Sequence, residues 1–276
     1  MKSYLKTSDH FLTKETFELI YDDKLDMLVT TPKPTDLSKY YNSEDYISHT
    51  DVTHSFMERI YARIKKVNLK TKLRLIENQR QKIGGLLDIG TGTGDFIAHA
   101  QERGWSVLGV EPNFNARKLA EKKGVEVREE LTDIQNEKFD VITLWHVLEH
   151  LPNLEESIKK IALILNDHGT LIIAVPNYRS YDANYYKSFW AAYDVPRHLW
   201  HFSKESINRL FAKHNIEVQN IKPMWFDSFY VSLLSEEYKT GHKNWLKAFL
   251  LGLYSNLRGI ATKEYSSHIY ILKKAI

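Results

Sequence analysis

Apolar positions in the middle of this chain come in short runs that alternate with stretches of helical spacing. Residues 86–89 form a brief run closed by glycines, which predicts a buried strand. Residues 96–103 have helical spacing, 106–110 predict a second strand, and 113–123 predict a helix closed by Gly124. Third and fourth strands are expected at 125–127 and 139–144. A helix follows at 154–165, then a fifth strand at 170–175 stopped by Pro176. Strands and helices alternating at this interval imply parallel βαβ units in an open sheet with helices on both faces.

On either side of this block the pattern changes. Ser203 and Ser206 have the spacing of a cap for a helix reaching about residue 213. Sixth and seventh strands are expected at 216–221 and 268–272, with a strongly apolar helical insertion at 225–263 covering one end of the sheet. Upstream, 52–81 lacks proline and glycine, and Phe56, Ile60, Ile64 and Val67 recur at helical spacing, predicting a long amphipathic helix. Residues 1–50 are expected to be an irregular polar extension broken by Pro32 and Pro34. The expected organisation is therefore an extension with its helix at 1–82, acting as lid or cap, and an α/β domain at 83–276. That domain is doubly wound and Rossmann-like, around a mostly parallel seven-stranded sheet.

Composition adds limits. Hydrophobic residues make up 43% and charged residues 26%, as in an ordinary globular chain. The net charge of +3 does not favour nucleic acid as a partner. There is no cysteine, which removes thiolate catalysis and thiolate metal sites. The first ten residues carry charge without an apolar core, and the most apolar stretch, 245–257, is too short to span a bilayer. A cytoplasmic protein is the expectation. The apolar residues of 245–257 suit core packing or a homodimer contact; a membrane surface is the less favoured alternative.

The chemistry concentrates where the first strand ends, in Asp88-Ile89-Gly90-Thr91-Gly92-Thr93-Gly94. Ligands of open α/β sheets sit at the carboxyl ends of strands where strand order reverses. A dinucleotide fingerprint needs G-x-G-x-x-G, but the third position is Asp95 counted from Gly90 and Ile97 counted from Gly92. A nicotinamide oxidoreductase is thereby disfavoured. Asp88 would repel a pyrophosphate and suits a ligand carrying an ammonium and a sulfonium. Glu111, at the end of the second strand before Pro112, can accept hydrogen bonds from both hydroxyls of a ribose.

These motifs resemble the class I S-adenosylmethionine-dependent methyltransferases. Residues 87–94 are similar to the family's first motif and Gly109-Val110-Glu111-Pro112 to its second. Phe139-Asp140-Val141-Ile142 with Trp145-His146-Val147-Leu148-Glu149-His150 resembles the fourth strand and its loop, and 169–173 the fifth strand. The resemblance implies S-adenosylmethionine as cofactor and an antiparallel last strand. It places Asp88, Gly90, Gly92, Gly94, Glu111, Pro112, Trp145 and His146 around the cofactor, with Leu131 to Ile134 at the adenine. The loop 189–202 resembles the acceptor-facing segment of enzymes related to the ubiquinone-pathway O-methyltransferases.

Methyl transfer needs alignment, exclusion of water and, for an oxygen or nitrogen acceptor, a base. His198 is the first candidate for a base or acceptor-orienting group and His146 the second, with a purely structural His198 as the competing interpretation. A small-molecule acceptor methylated on oxygen is expected. The rivals are a non-catalytic S-adenosylmethionine-binding domain and a metal-assisted RNA 2′-O-methyltransferase. The latter rests on Glu149 and His150 with His198 or His201; His146 stands where a glutamate would be needed, so no metal is assigned. Tyr40, Tyr41, Tyr46 and His49 form either a lid over the cofactor or plain packing, with packing favoured.

Overall fold

Alternation at Phe17, Leu19 and Tyr21, followed by the polar turn Asp22-Asp23-Lys24, makes strands of a segment expected to be irregular. The computed structural model describes residues 2–41, 56–79 and 82–275; Tyr46 and His49 of the expected lid lie outside them. In chain order the described residues form β1 (Lys2–Ser8), β2 (Thr16–Asp22), β3 (Met27–Thr31), α1 (Phe56–Glu77), β4 (Gly85–Ile89), α2 (Asp95–Glu102), β5 (Ser106–Val110), α3 (Phe114–Glu121), β6 (Val127–Arg128) and β7 (Phe139–Trp145). There follow α4 (Leu154–Ile164), β8 (Leu165–Pro176), α5 (Tyr181–Tyr186), β9 (Trp200–His201), α6 (Lys204–Ala212), β10 (Ile216–Pro223), α7 (Asp227–Thr240), α8 (Trp245–Thr262) and β11 (Ser267–Lys274).

Seven strands form one sheet in the order β10-β11-β8-β7-β4-β5-β6, the doubly wound α/β architecture that the sequence predicts. Strand β4 pairs in parallel with both β5 and β7, setting Leu87 opposite Leu108 and Ile142. The chain therefore moves outward from β4 to β6 and returns on the other side, which makes the end of β4 a switch point. Strands β1, β2, β3 and β9 form a second, four-stranded sheet that was not expected. Its pairings are antiparallel, with Asp22 opposite Met27 and Leu28 opposite His201. Asp22 closes the turn after β2 by accepting from the backbone N–H groups of Lys24 and Leu25.

Packing divides the chain into two compact units. Among the described residues, the first combines the chain up to residue 41 with 146–154 and 173–271; the second combines 56–145 with 155–172 and 272–275. The core of the second unit is aliphatic, with Leu86, Leu87, Ile97, Val141, Ile142, Ile158 and Ile172 all buried. The core of the first is aromatic, built from Phe17, Tyr40, Tyr178, Tyr186, Trp190 and Tyr193. Tyr40 is thus a packing residue, edge-on to Phe17 at 6.1 Å.

The caps agree with the sequence. Asn113 accepts from the Ala116 N–H at the start of α3, and Ser203 and Ser206 form a reciprocal box at the start of α6. The insertion departs from the core-packing alternative. It folds as α7 and α8 joined through Gly241, but α8 does not bury its apolar side: Leu246, Phe249, Leu250, Leu253 and Leu257 are exposed. The physical reason is the small and polar opposite face, Ala248, Gly252, Ser255, Asn256 and Gly259, which is the one that packs.

Candidate active site

The second unit carries the glycine loop. Gly90 and Thr91 donate their N–H groups to the Val110 carbonyl at 2.7 and 3.0 Å, holding the loop against the end of β5. Gly92 has φ +56, and a Cβ built there would meet nothing within 4 Å, so open space lies above the loop. The Gly92 N–H donates to Glu111 Oε2 at 2.8 Å, and the Asn113 N–H donates to Oε1 at 2.9 Å. Each oxygen keeps a further acceptor site. Burial raises the Glu111 pKa, opposed by these two backbone donors.

Gly94 serves packing. With φ +80, a Cβ there would lie 2.6 Å from that of Ala120, so only glycine lets α2 begin at this point. Asp88 also differs from expectation. The sequence set it against a cationic ligand, but its carboxylate is 2% exposed and already engaged. Thr143 Oγ1 donates to one oxygen at 2.5 Å and Thr91 Oγ1 to the other at 3.0 Å. Asp88 thereby fixes the loop from beneath, and burial pushes its pKa up to about 6.

Trp145, at the end of β7, is half-buried and edge-on to Phe96 at 5.8 Å. Lys72 from α1 lies 4.4 Å from its ring centre, a cation the sequence did not single out. Pro112 is exposed, its carbonyl accepting from Arg117, and Leu131 is half-buried in a 3₁₀ turn at 131–133.

The first unit gathers the histidines. His146 has φ +57 and anchors its N–H on the Ala174 carbonyl at 2.9 Å. Its Nε2 lies 3.1 Å from Asp227 Oδ2 and its Nδ1 3.4 Å from Glu149 Oε1. Burial alone would lower its pKa, but the two carboxylates, Asp227 foremost, raise it to about 10. The two carboxylates thus favour the charged ring, a form suited to orienting an acceptor more than to taking its proton.

His198 is buried, and its Nδ1 lies 2.9 Å from the Ala192 carbonyl. A carbonyl only accepts, so Nδ1 carries a hydrogen and Nε2 is the nitrogen turned away from that carbonyl. His150 follows the same logic: its Nδ1 lies 3.1 Å from the Arg197 carbonyl, with the Tyr41 hydroxyl also at 3.1 Å. Burial, reinforced by His198, pushes the His150 pKa down to about 4. The two rings stand edge to face at 4.5 Å. Beside them Glu149 is 1% exposed, and Oε2 has no hydrogen-bond partner. Burial would raise the Glu149 pKa, yet its contact with the His146 ring, the foremost opposing influence, holds it low. One ligand atom each from Glu149, His150 and His198 lies within 4.8 Å of the others, so this trio could hold a metal ion. His201 is outside this trio, its ring 6.5 Å from that of His198 and its Nε2 3.0 Å from Thr30 Oγ1.

The loop bearing His198 is pinned by ionic contacts that sequence reasoning missed. Arg197, 1% exposed, donates through Nη2 to Asp9 at 2.8 Å and Asp194 at 2.6 Å, and through Nη1 to the Tyr40 carbonyl at 3.2 Å. Asp9 also accepts from the N–H groups of Phe11, Leu12 and Thr13. Below the loop, Asp182 accepts from Trp190 Nε1, Ser255 and Ser266 at 2.6–2.8 Å.

Residues 47–221, more than half of the 276 in the chain, match the model of a methyltransferase domain family. The chain belongs to that family. Within it, the chain is similar to a ubiquinone biosynthesis O-methyltransferase of Actinobacillus pleuropneumoniae, at 33% identity over 41% of this chain and 56% of the relative. It is also similar to an uncharacterized methyltransferase of Alkaliphilus oremlandii, at 32% identity over 35% of this chain and 47% of the relative. The chain thus spans about half the length of these curated relatives. A solved magnesium protoporphyrin IX methyltransferase from Synechocystis with bound SAH shares the fold, with TM-score 0.56 and 13% identity over 86% of this chain and 97% of that one. By family model and fold the chain belongs with the class I S-adenosylmethionine-dependent methyltransferases. The loop fits that cofactor: space is open over Gly92, and the buried Glu111 carboxylate retains acceptor sites for hydroxyls.

Proposed function

We propose that this chain transfers a methyl group from S-adenosylmethionine to an oxygen of a small-molecule acceptor. The observation that carries the cofactor half is the open Gly92 loop beside a buried Glu111 carboxylate, in a chain of the methyltransferase family. The names of the curated relatives support oxygen as the accepting atom. When bound, the cofactor supplies a methyl group already activated by a sulfonium. Glu111 accepts hydrogen bonds from the ribose hydroxyls, and Gly90 and Gly92 let the backbone approach. His198 takes the acceptor hydroxyl's proton on Nε2, while Nδ1 stays bonded to the Ala192 carbonyl. Arg197 and its two aspartates hold the His198 loop in position.

The test is His198→Ala and His198→Gln, assayed by release of S-adenosylhomocysteine over a panel of hydroxylated small molecules. Turnover is expected to fall by about 10²–10⁴-fold, with cofactor affinity in calorimetric titration within about twofold of the parent. Unchanged turnover, or equal loss of turnover and affinity, would sink the assignment.

A second reading rests on Glu149, whose buried Oε2 has no hydrogen-bond partner, and on the nearness of His150 and His198 to it. Two histidines and a carboxylate suit zinc or a similar divalent ion and leave a coordination position for an acceptor oxygen. His198 is then a ligand, not a base. Stoichiometric zinc after dialysis, lost in His150→Ala, would decide for this reading.

A further inference from the structure

Helix α8 is amphipathic the wrong way round for a helix of a protein interior. Leu246, Phe249, Leu250, Leu253, Leu257 and Ile260 are between 40% and 71% exposed. At about 100° per residue they share an arc of roughly 100°. The opposite arc is buried and small. A Cβ at Gly252 would come 2.8 Å from Phe229 Cδ1, and one at Gly259 would come 2.5 Å from Tyr265 Cδ1. Ser255 donates to Asp182 at 2.6 Å and Asn256 donates to the Trp225 carbonyl at 2.9 Å. Close glycine packing and these two hydrogen bonds thus fix which side faces in. Rotating the helix to bury its leucines would break all four contacts, so the outward apolar stripe is specified by the sequence.

The charge within this segment is of one sign. From Lys239 to Lys263 there are Lys239, Lys243, Lys247, Arg258 and Lys263, and no aspartate or glutamate. Glu236 and Glu237 offset Lys247 and Lys243, leaving the surplus positive. Trp245 and Tyr254 flank the apolar arc and are themselves exposed, as are Phe226 and Tyr230 on neighbouring α7. Phe249 stacks on Phe229 at 5.3 Å, which joins the two helices at this face. No helix among the described residues is long and apolar enough to cross a membrane.

We propose that the exposed face of α8 is a monotopic docking surface for an anionic lipid membrane. Aliphatic side chains enter the acyl boundary, aromatic residues sit at the headgroup level, and the lysines and Arg258 meet lipid phosphates. A second copy of this chain fits less well. A two-fold interface brings the same patch against itself, so cationic residues would face cationic residues.

The experiment is co-sedimentation of the full chain with vesicles of phosphatidylcholine and phosphatidylglycerol at about 7:3, beside pure phosphatidylcholine. Partitioning is expected to be about tenfold stronger on the anionic vesicles and to weaken with salt. A Leu250→Glu, Leu253→Glu, Leu257→Glu variant, altered only at exposed positions, is expected to lose at least about tenfold in binding at an unchanged melting temperature. The pair Arg258→Gln and Lys263→Gln is expected to remove most of the anionic preference and keep the residual apolar binding. Absence of vesicle binding, or binding indifferent to the leucine variant, would overturn the proposal. So would a dimer in light scattering that the same leucine substitutions dissociate, with no vesicle binding by the parent.

Discussion

Arg197→Met isolates what holds the histidine loop. The guanidinium is 1% exposed and bonds two carboxylates, of which Asp9 is itself fully buried. Removing the cation strands both acids, and breaking a buried pair in this way costs about 3–5 kcal/mol. Asp9 provides an independent scale. Burial would raise its pKa, but Arg197 and the backbone donors outweigh that and hold it at about 2, against 3.8 unperturbed. That difference corresponds to about 2 kcal/mol of stability. Because the folded pKa is depressed, this stability is fully present above pH 3.8 and is lost as pH falls toward 2. Urea unfolding followed through tryptophan fluorescence suits the measurement, since Trp190 is buried in the same unit. Arg197→Met is expected to lose about 3–5 kcal/mol at neutral pH and Asp9→Asn about 2 kcal/mol. The triple variant Asp9→Asn, Asp194→Asn, Arg197→Met should recover much of the loss, because no buried charge is left unpaired. A loss below about 1 kcal/mol for Arg197→Met, or a triple variant no more stable than the single one, would refute the reasoning.

Three further expectations concern the glycine loop. Glu111→Ala should weaken cofactor binding in calorimetric titration by about 1–3 kcal/mol; unchanged affinity would place the ribose elsewhere. Gly94→Ala meets both a positive φ and the Ala120 side chain, so it should destabilise the fold by about 2–4 kcal/mol; an unaltered melting temperature would count against that packing. Asp88 has a raised folded pKa, so its contribution is fully present below pH 3.8 and is lost as pH rises through about 6. Lowering pH from 7 to 5 should therefore stabilise the parent relative to Asp88→Asn, within a total of about 3 kcal/mol, and parallel pH profiles for the two would contradict it.

The α/β frame was legible because each element carries its own local signal. The run 106–110 became β5 without a shift of boundary, and the Ser203 and Ser206 spacing became the cap of α6. The four-stranded sheet is harder to read, although Phe17, Leu19 and Tyr21 alternate. Polar β1 and the short β3 gave no continuous apolar run, and proline at 32 and 34 drew attention to irregularity. Roles at the site were harder to read than positions. Asp88 and Gly94 lie in the motif as expected, but their tasks depend on Thr143 and Ala120, which the motif does not contain. The counter-charge of His146 is Asp227, 81 positions later (227 − 146), which no local pattern sets beside it. The Arg197 cluster joins residues 188 positions apart, and no local pattern announces such a pair.

The pairing of Val29 with Trp200 and of Leu28 with His201 has a consequence for how the chain is made. During vectorial synthesis β3 leaves the ribosome with one edge bare, and its partner strand follows only after all the βαβ units of the other sheet up to β8. An open strand edge is a template for pairing with another chain, and non-local strand pairings of this kind are slow to form. The order of synthesis therefore gives the nascent N-terminal hairpins an interval of vulnerability that ends only when Trp200 and His201 emerge. A truncation ending before residue 200 should accordingly be more prone to aggregate than one ending after it.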